Sequence, residues 1–403
     1  MLAPKIRTRF TIAVAGVCGL AAASLGAGTA TAGVTAAGGP GHWSRVTPLG
    51  TATTDDIGLV RGSDGILHAV WASDHPGSQN VEDTPITSDG TVKKPVTIAH
   101  FYLATGPDAT ATPAGLDVLW NGIKTSTGPS GTFVAARPAS GGSWSVTTRV
   151  PPLPGIPYTS SSDTATTGSD GKPWVAFTGT DSLAVDHLGH PEVELGPAQC
   201  CVYDAGLATD GSSGRTWVSY LSLIAHHQGI FARPLTNSGT AAGAAKLLPG
   251  SAASGHVVLL SQRVAITSRG KNRAGVYVAY LHGYPTAQAF DLARLGPGGS
   301  IKVTTFGGLT STLTAATVTA DPSGRLWLAW FHGHSPAPAL FVRRSNPAAT
   351  TFGSIQRIAL PAGTTDLWKV YLNAQSGRLD VLALLTTKDN KSAYWSTQVV
   401  PAG

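Results

Sequence analysis

The sequence is poor in charged residues and in cysteine. Asp, Glu, Lys and Arg make up 12% of the 403 residues, and there are three cysteines. Blocks of basic residues are missing, so we expect no nucleic-acid partner. Long amphipathic helical patterns are also missing, which argues against a helical fold. The chain instead has 49 glycines, 27 prolines and 42% hydrophobic residues, a composition typical of a turn-rich β protein with a full core.

Long hydrophobic runs are missing as well, except near the N-terminus. Three basic residues among the first nine precede the apolar run 11–28, and Ala30-Thr31-Ala32 follows it. This order is typical of a secretory signal that is removed after export. The sequence therefore predicts a signal peptide at residues 1–32, a secreted, extracellular protein that starts at Gly33, and the loss of Cys18. No later run reaches the roughly 18 residues that a membrane helix needs, so we expect no membrane span.

One short pattern recurs seven times along the chain. In each copy a glycine follows a polar turn and precedes alternating apolar residues, and successive glycines are 43 to 61 residues apart. Such a period is the signature of a repeat architecture. The copies are DGILHAVW (64–71), AGLDVLW (114–120), DGKPWVAF (170–177), SGRTWVSY (213–220), AGVYVAY (274–280), SGRLWLAW (323–330) and SGRLDVLAL (376–384).

The repeat predicts an all-β fold, a seven-bladed β-propeller of four-stranded blades. Each copy reads as the second strand of a blade, with alternating strands before and after it. The seventh copy stops after its third strand, so we expect the N-terminal segment to supply the missing strand and close the ring. The single domain 33–403 then has blades at about 53–99, 100–150, 157–197, 201–249, 256–306, 313–361 and 366–400 plus 41–48.

Large aromatic residues occupy equivalent positions in most copies. A repeat that buries its faces against its neighbours needs bulky residues there, so we expect these side chains to pack between blades. They are Trp71, Trp120, Trp174, Trp217, Tyr220, Tyr277, Tyr280, Trp327 and Trp330.

Residues that break the repeat at the ends of the second strands are the candidates for ligand binding. Imidazoles there could hydrogen-bond a polar ligand, bind a transition metal, or satisfy local backbone groups. We assign them to a ligand and predict no metal and no cofactor. The candidates at these strand ends are His282, His332, His334, His226, Asp74 and His75.

Two further features lie between strands on the same face. Cys200 and Cys201 are the two cysteines that remain after export, and they bond to each other, bridge to another chain or stay free. We predict a vicinal disulfide between them. Such a bridge is strained and would form either an apolar platform for a ligand or a structural clip. Tyr158, in the proline-rich segment 150–163, either contributes to ligand binding or belongs to an ordinary rigid loop.

Two propeller families share short motifs with this chain. The stretch ARPASGGSWSV (136–146) resembles the Asp-box turn of the sialidase-like propellers but lacks its aspartate. Two stretches are similar to the repeat motifs of the bacterial seven-bladed propeller lectins. They are SGRLDVLALLTTKDNKSAYWST (376–397) and AGLDVLW (114–120) followed by GGSWSV. The second resemblance implies sugar binding between blades through Trp faces and polar side chains, without assigning individual residues.

These observations predict a secreted, non-catalytic carbohydrate-binding module. Its expected partner is a glycan or a cell-surface polysaccharide, and it could be the adhesive subunit of a larger extracellular or toxin assembly with protein partners. The alternative is a sialidase-like exo-glycosidase or a polysaccharide lyase with Tyr158 and His282 or His332 as acid and base. Against an enzyme, the face offers few carboxylates and one well-placed arginine. These are Asp74, Asp181, Asp366, the pair Asp55-Asp56, and Arg263.

Overall fold

The computed structural model contains strands and turns in the residues that it describes, and no helix. All of these residues belong to one compact unit, residues 36–403, and no helix among them is available to cross a membrane. The described residues are 40–51, 56–73, 78–104, 106–128, 130–150, 163–178, 183–188, 190, 193–195, 202–224, 227–252, 262–282, 287–296, 299–307, 309, 312–333 and 337–401. The predicted signal peptide lies outside them.

The strands form seven separate antiparallel sheets, which confirms the predicted seven-bladed propeller. Blade 1 is β2 Gly58–Arg61, β3 Leu67–Ala72, β4 Gln79–Ile86 and β5 Val96–Phe101. Blade 2 is β6 Leu103–Ala104, β7 Asp108–Thr112, β8 Gly115–Ile123, β9 Ser130–Pro138 and β10 Ser145–Val150. Blade 3 is β11 Asp163–Thr167, β12 Pro173–Thr178, β13 Leu183–His187 and β14 Val193–Glu194. Blade 4 is β15 Val202–Thr209, β16 Thr216–Ile224, β17 His227–Pro234 and β18 Lys246–Leu247.

The remaining blades follow the same order. Blade 5 is β19 Ala265–Ser268, β20 Val276–His282, β21 Ala289–Leu295 and β22 Ile301–Phe306. Blade 6 is β23 Ala315–Ala320, β24 Leu326–His332, β25 Ala339–Arg344 and β26 Gln356–Ile358. Blade 7 is β27 Thr364–Gln375, β28 Arg378–Thr387, β29 Ser392–Val399 and, from the N-terminal segment, β1 Ser44–Arg45.

The first strand of every blade lies innermost. In blade 2 this strand is β7, and β6 is a short additional strand that pairs with the end of β8. The first strands contact one another in sequence around the ring, from β2 through β7, β11, β15, β19 and β23 to β27, and β27 contacts β2 again. Because strands alternate in direction within a blade, the first strands begin and the second strands end on one face. We call this the upper face. Residues at the start of the first strands therefore lie near the mouth of the central channel.

The glycines that anchor the seven copies have a common structural reason. Each stands in or just after the turn between the first and second strands, and all seven have a positive φ, between 69° at Gly214 and 145° at Gly115. L-amino acids with a side chain adopt this region at a cost, so the turn selects glycine. At Gly115 a Cβ atom would also lie 2.0 Å from the carbonyl oxygen of Arg137. The glycine recurs in the sequence because this turn recurs in every blade.

The hydrophobic core is divided among the spaces between blades. Seven clusters of buried residues occur, each shared by two neighbouring blades. Trp327 and Trp330 are 1% and 2% exposed and face opposite sides of β24, so Trp327 packs toward blade 7 and Trp330 toward blade 5. The other seven aromatic residues predicted to pack between blades are buried as well.

The N-terminal segment closes the ring in the predicted manner. Ser44 and Arg45 pair with Ser396 and Trp395, so β1 is the outer strand of blade 7. The contact continues beyond the strand, because the backbone N–H of Val46 donates to the carbonyl of Tyr394 at 2.8 Å. Both ends of the described chain thus meet in one blade.

Candidate functional site

Seven of the nine residues predicted to bind a ligand cannot be placed. They lie outside the described residues, and so does the predicted disulfide. They are His334, His226, Asp74, His75, Tyr158, Cys200 and Cys201. The two that the structure places, His282 and His332, are the last residues of β20 and β24 and lie at the upper face.

His282 presents an oriented imidazole to solvent. Its Nδ1 lies 2.7 Å from Oδ2 of Asp291 on β21, so Nδ1–H donates to the carboxylate and Nε2 is left as the acceptor. The His282 side chain is 43% exposed, whereas that of Asp291 is 1% exposed. Gly250 packs closely over the pair, because a Cβ atom there would lie 2.5 Å from Nδ1. A buried carboxylate that fixes the tautomer of an exposed imidazole is suited to proton transfer.

His332 has a different environment. Its Nδ1 donates to the backbone carbonyl of Thr312 at 2.8 Å, and its ring packs edge-on against Phe341. The residue is 8% exposed. These contacts are with local backbone and core, so His332 contributes to the structure of blade 6.

An ionic cluster occupies the centre of the ring. Asp56, 2% exposed, accepts a hydrogen bond from Lys369 Nζ at 2.9 Å and another from the hydroxyl of Tyr371. Burial opposes the ionisation of Asp56, but the positive charges of Lys369 and Arg263 and the bond from Tyr371 outweigh it and hold the pKa below its usual value. Burial, together with the charge of Asp56, raises the pKa of Tyr371 well above its usual value. Asp56 is therefore ionised and Tyr371 is neutral.

Arg263 extends the cluster across the channel. It precedes β19 in blade 5, and its Nη1 lies 2.8 Å from Asp108 Oδ2 in blade 2, while Nη2 donates to the carbonyl of Pro107 at 3.1 Å. Its Nε is 3.4 Å from Asp56 Oδ2, an ion-pair distance without hydrogen-bond alignment. Asp108 in turn accepts the backbone N–H of Ala165 at 2.7 Å. A cavity of about 180 Å³ lies beside the cluster and is lined by Asp108, Gln262, Arg263 and Tyr371, among other residues.

Asp204 stands apart from the ion pairs of this cluster. It lies in β15 where the register with β16 shifts, and its φ is +54°, a conformation that is uncommon without glycine. Among the described residues its carboxyl group has no hydrogen bond and no ion pair. Burial and the negative charge of Asp56 raise the pKa of Asp204 to about 7, against the smaller opposing effect of Lys369 and Arg263. This carboxyl group can therefore change its protonation state near neutral pH.

A cleft between blades 1 and 2 combines an indole with a fixed guanidinium. Arg137 Nη1 lies 3.3 Å from His68 Nε2, and His68 Nδ1 lies 2.9 Å from Asp83. His68 is fully buried, so this chain of contacts holds Arg137 in place. The cleft is about 380 Å³, and Trp144, from the turn between β9 and β10, lines it together with Arg137 and Asp83. Trp144 has no hydrogen-bond partner among the described residues.

No metal centre is found in the described part of the chain. Groups of three or more histidine, cysteine, aspartate or glutamate side chains arranged to hold an ion do not occur there.

The sequence identified part of this arrangement. It placed Arg263 and Asp56 at the upper face, where the structure has them, but it left out Asp108 and Asp204. Both aspartates stand at the beginning of a first strand, in GPDATAT and VYDAGLATD. A search for carboxylates at that one position of every blade would have found them. The proximity of Arg137 and Trp144 to blade 1 had no sequence signal beyond the GGSWSV motif.

Comparison with known proteins yields solved structures only. No family model and no curated protein matches the sequence. Virginiamycin B lyase from Staphylococcus aureus matches with 14% identity and a TM-score of 0.49, covering 88% of this chain and 98% of that chain. Polysaccharide lyase Uly1 matches with 13% identity and a TM-score of 0.42 over 88% and 90% of the two chains. The β-propeller domain of the Trilobed protease from Pyrococcus furiosus matches with 9% identity and a TM-score of 0.46 over 85% and 93%. Similarities this distant carry no argument about activity or ligand.

Proposed function

We propose that the protein is a secreted carbohydrate-binding propeller and that it binds a sugar in the cleft between blades 1 and 2. The observation that carries the proposal is the presence of Arg137 and Trp144 in one cleft of about 380 Å³. Pockets of a few hundred Å³ with an aromatic wall and a few placed polar groups are typical of small-ligand sites. The role as an adhesive subunit of a larger assembly, and export by the predicted signal peptide, belong to the same proposal.

The chemistry of the cleft suits a sugar in two ways. The aliphatic face of a pyranose packs against an indole ring, and the hydroxyl groups at its edge accept hydrogen bonds from a guanidinium. Arg137 uses Nη1 toward His68, and its other donors have no partner among the described residues. Because His68 and Asp83 already fix the side chain, binding would cost little further ordering of Arg137. The GGSWSV motif that supplies Trp144 is also the motif that resembles the propeller lectins.

A glycan array probed with the protein starting at Gly33 tests the proposal. Any glycan that binds is then titrated calorimetrically against the wild type, Arg137→Gln and Arg233→Gln. Arg233 is the matched control, because it also lies on a third strand but donates to the backbone carbonyls of Gly243 and Leu195. We expect Arg137→Gln to weaken binding at least tenfold and Arg233→Gln to leave it unchanged. An array without any binder, or equal affinity in all three proteins, would contradict the proposal.

A second candidate, a glycan-cleaving enzyme at the upper face, is favoured by the two carboxyl groups of the channel mouth. The pKa of Asp56 is held low and that of Asp204 is raised to about 7, and such a separation is typical of acid and base pairs. For a hydrolase Asp204 would be the acid, whereas for a lyase the oriented imidazole of His282 would be the base.

Incubation with candidate polysaccharides separates the two functions. New reducing ends would indicate hydrolysis, and ultraviolet absorbance of an unsaturated uronate would indicate elimination. A hydrolase should lose activity in Asp204→Asn and a lyase in His282→Ala. If the glycans that bind the protein stay intact, the binding function stands alone.

A further inference from the structure

A second cleft lies between the N-terminal segment and blade 1. It has a volume of about 320 Å³ and is lined by residues that follow β1, among them Leu49, and by Trp71, Ser73, Asn80 and Glu82 of blade 1. Glu82 and Asp83 are consecutive in β4, so their side chains point to opposite faces of the blade. This cleft is therefore separate from the one that contains Arg137.

Glu82 is a buried carboxylate without a cation beside it. The residue is 9% exposed, and its Oε1 accepts a hydrogen bond from Thr97 Oγ1 at 3.0 Å. Its Oε2 has no partner, and Glu82 forms no ion pair, within the described ranges. The nearby Lys93 and Lys94 are exposed to solvent. Burial of an unpaired charge is unfavourable, and buried carboxylates usually have a counter-charge.

The described lining of the cleft supplies no counter-charge. It contains neither lysine nor arginine, and Glu82 is its one charged residue. A positive group that neutralises Glu82 would then come from a ligand.

The rest of the cleft is suited to an organic cation. Trp71 donates its Nε1–H inward, to Thr84 Oγ1 at 3.0 Å, so the polar edge of the indole is already bonded. Trp71 lines the cleft although it is 6% exposed, and an indole ring attracts a cation placed over its face. Leu49, 42% exposed, adds an apolar wall on the other side. A small hydrated metal ion would gain nothing from these surfaces, whereas alkylated nitrogen would.

We propose that this cleft binds an organic ammonium group, with Glu82 as the counter-charge and Trp71 as the aromatic wall. The group could be a primary amine, such as an amino sugar or a lysine side chain, or a quaternary ammonium, such as a choline head group. The proposal does not depend on sugar binding between blades 1 and 2.

The test compares choline with its neutral isostere 3,3-dimethylbutan-1-ol, and both with butylamine, by calorimetric titration of the unmodified protein. The first two ligands have the same shape and differ in charge. We expect choline to bind at least tenfold more tightly than the isostere. Comparison of choline with butylamine then distinguishes a quaternary from a primary ammonium site. Equal binding of choline and the isostere, or no binding of either cation, would overturn the proposal without any variant being made.

A charge-removing variant locates the site. Glu82→Gln retains the shape of the side chain and an oxygen for Thr97, so the fold should persist and binding of the cation should fall at least tenfold. Asp389→Asn, at an exposed turn, is the matched loss of one negative charge and should leave binding unchanged. If both variants bind as the wild type does, the cation is held elsewhere and Glu82 has no part in it. The glycan array is a separate measurement, so failure of one proposal leaves the other open to its own test.

Discussion

Asp204 combines an uncommon backbone conformation with a raised carboxyl pKa. Its positive φ is uncommon outside glycine and costs free energy, so the surrounding structure must hold it. The N–H of Val264, in the neighbouring blade, donates to its carbonyl at 2.8 Å and fixes the peptide. The side chain is thereby directed to the neighbourhood of Asp56. A carboxyl group placed beside a buried anion resists ionisation.

Asp204 should make the stability of the protein depend on pH in the direction opposite to most carboxylates. Its pKa is raised from 3.8 to about 7 on folding, so between these values the folded state binds more protons than the unfolded state. Stability from this group is therefore fully present below its unfolded pKa and is lost as the pH rises to about 7. We expect Asp204→Asn, which cannot ionise, to be more stable than the wild type at pH 8.

Melting temperatures measured from pH 4 to pH 8 check this expectation. The difference between the wild type and Asp204→Asn should grow as the pH rises, while the exposed control Asp389→Asn should follow the wild type. Parallel curves for wild type and Asp204→Asn would mean that the carboxyl group ionises normally.

The sequence predicted few of the individual site residues correctly. Histidines attracted attention because they are few and follow strands, but His332 bonds to local backbone, and only His282 presents an oriented ring. The position of Asp204 near the start of a first strand can be recognised in the sequence, but the raised pKa of its carboxyl group cannot. Its protonation depends on Asp56, which is 148 residues away in the sequence and comes close only when the ring forms.

Among the elements, the second strands carry most of the information. The turn before each selects glycine and each strand is buried on both faces, so glycine and large apolar residues recur together and the blades could be counted. The fourth strands β14 and β18 are only two residues long. Such short outer strands have little burial to specify them, and their limits could not be read from a pattern.

Trp327 should contribute more to stability than His282, although both lie on second strands. Trp327 is 1% exposed and packs between blades 6 and 7, with the guanidinium of Arg344 5.0 Å from its ring. Truncation of a buried tryptophan to alanine costs about 3 to 5 kcal/mol. Replacement of His282 with alanine removes a partly exposed ring but leaves the buried Asp291 carboxylate without its hydrogen bond, which costs about 1 to 3 kcal/mol.

Urea denaturation of Trp327→Ala and His282→Ala measures both costs. His282→Ala is the internal reference, since it loses one exposed ring and its bond to Asp291. A similar midpoint for the two variants would contradict the packing that the structure assigns to Trp327.

The whole ring is stabilised by side-chain contacts across its centre as well as by packing between neighbouring blades. Arg263 of blade 5 contacts Asp108 of blade 2, and the side chain of Gln262 accepts the N–H of Val370 of blade 7 at 2.7 Å. These contacts join blades that are not neighbours, across the channel. They connect the blades through the centre of the ring, in addition to the packing between neighbouring blades.

The N-terminal strand β1 covers the outer edge of blade 7 and closes the ring. Without β1 the outer edge of β29 would expose its backbone N–H and C=O groups, and free strand edges favour association. Deletion of residues 33–50 should therefore lower the melting temperature and produce oligomers, measured by calorimetry and by light scattering after size exclusion. Deletion of residues 33–39 alone keeps β1 and serves as the control, which should behave like the protein that starts at Gly33. The longer deletion also removes Leu49, so it should abolish ammonium binding while sugar binding between blades 1 and 2 persists in any folded fraction. An unchanged melting temperature with no new oligomer would mean that blade 7 is complete without its fourth strand.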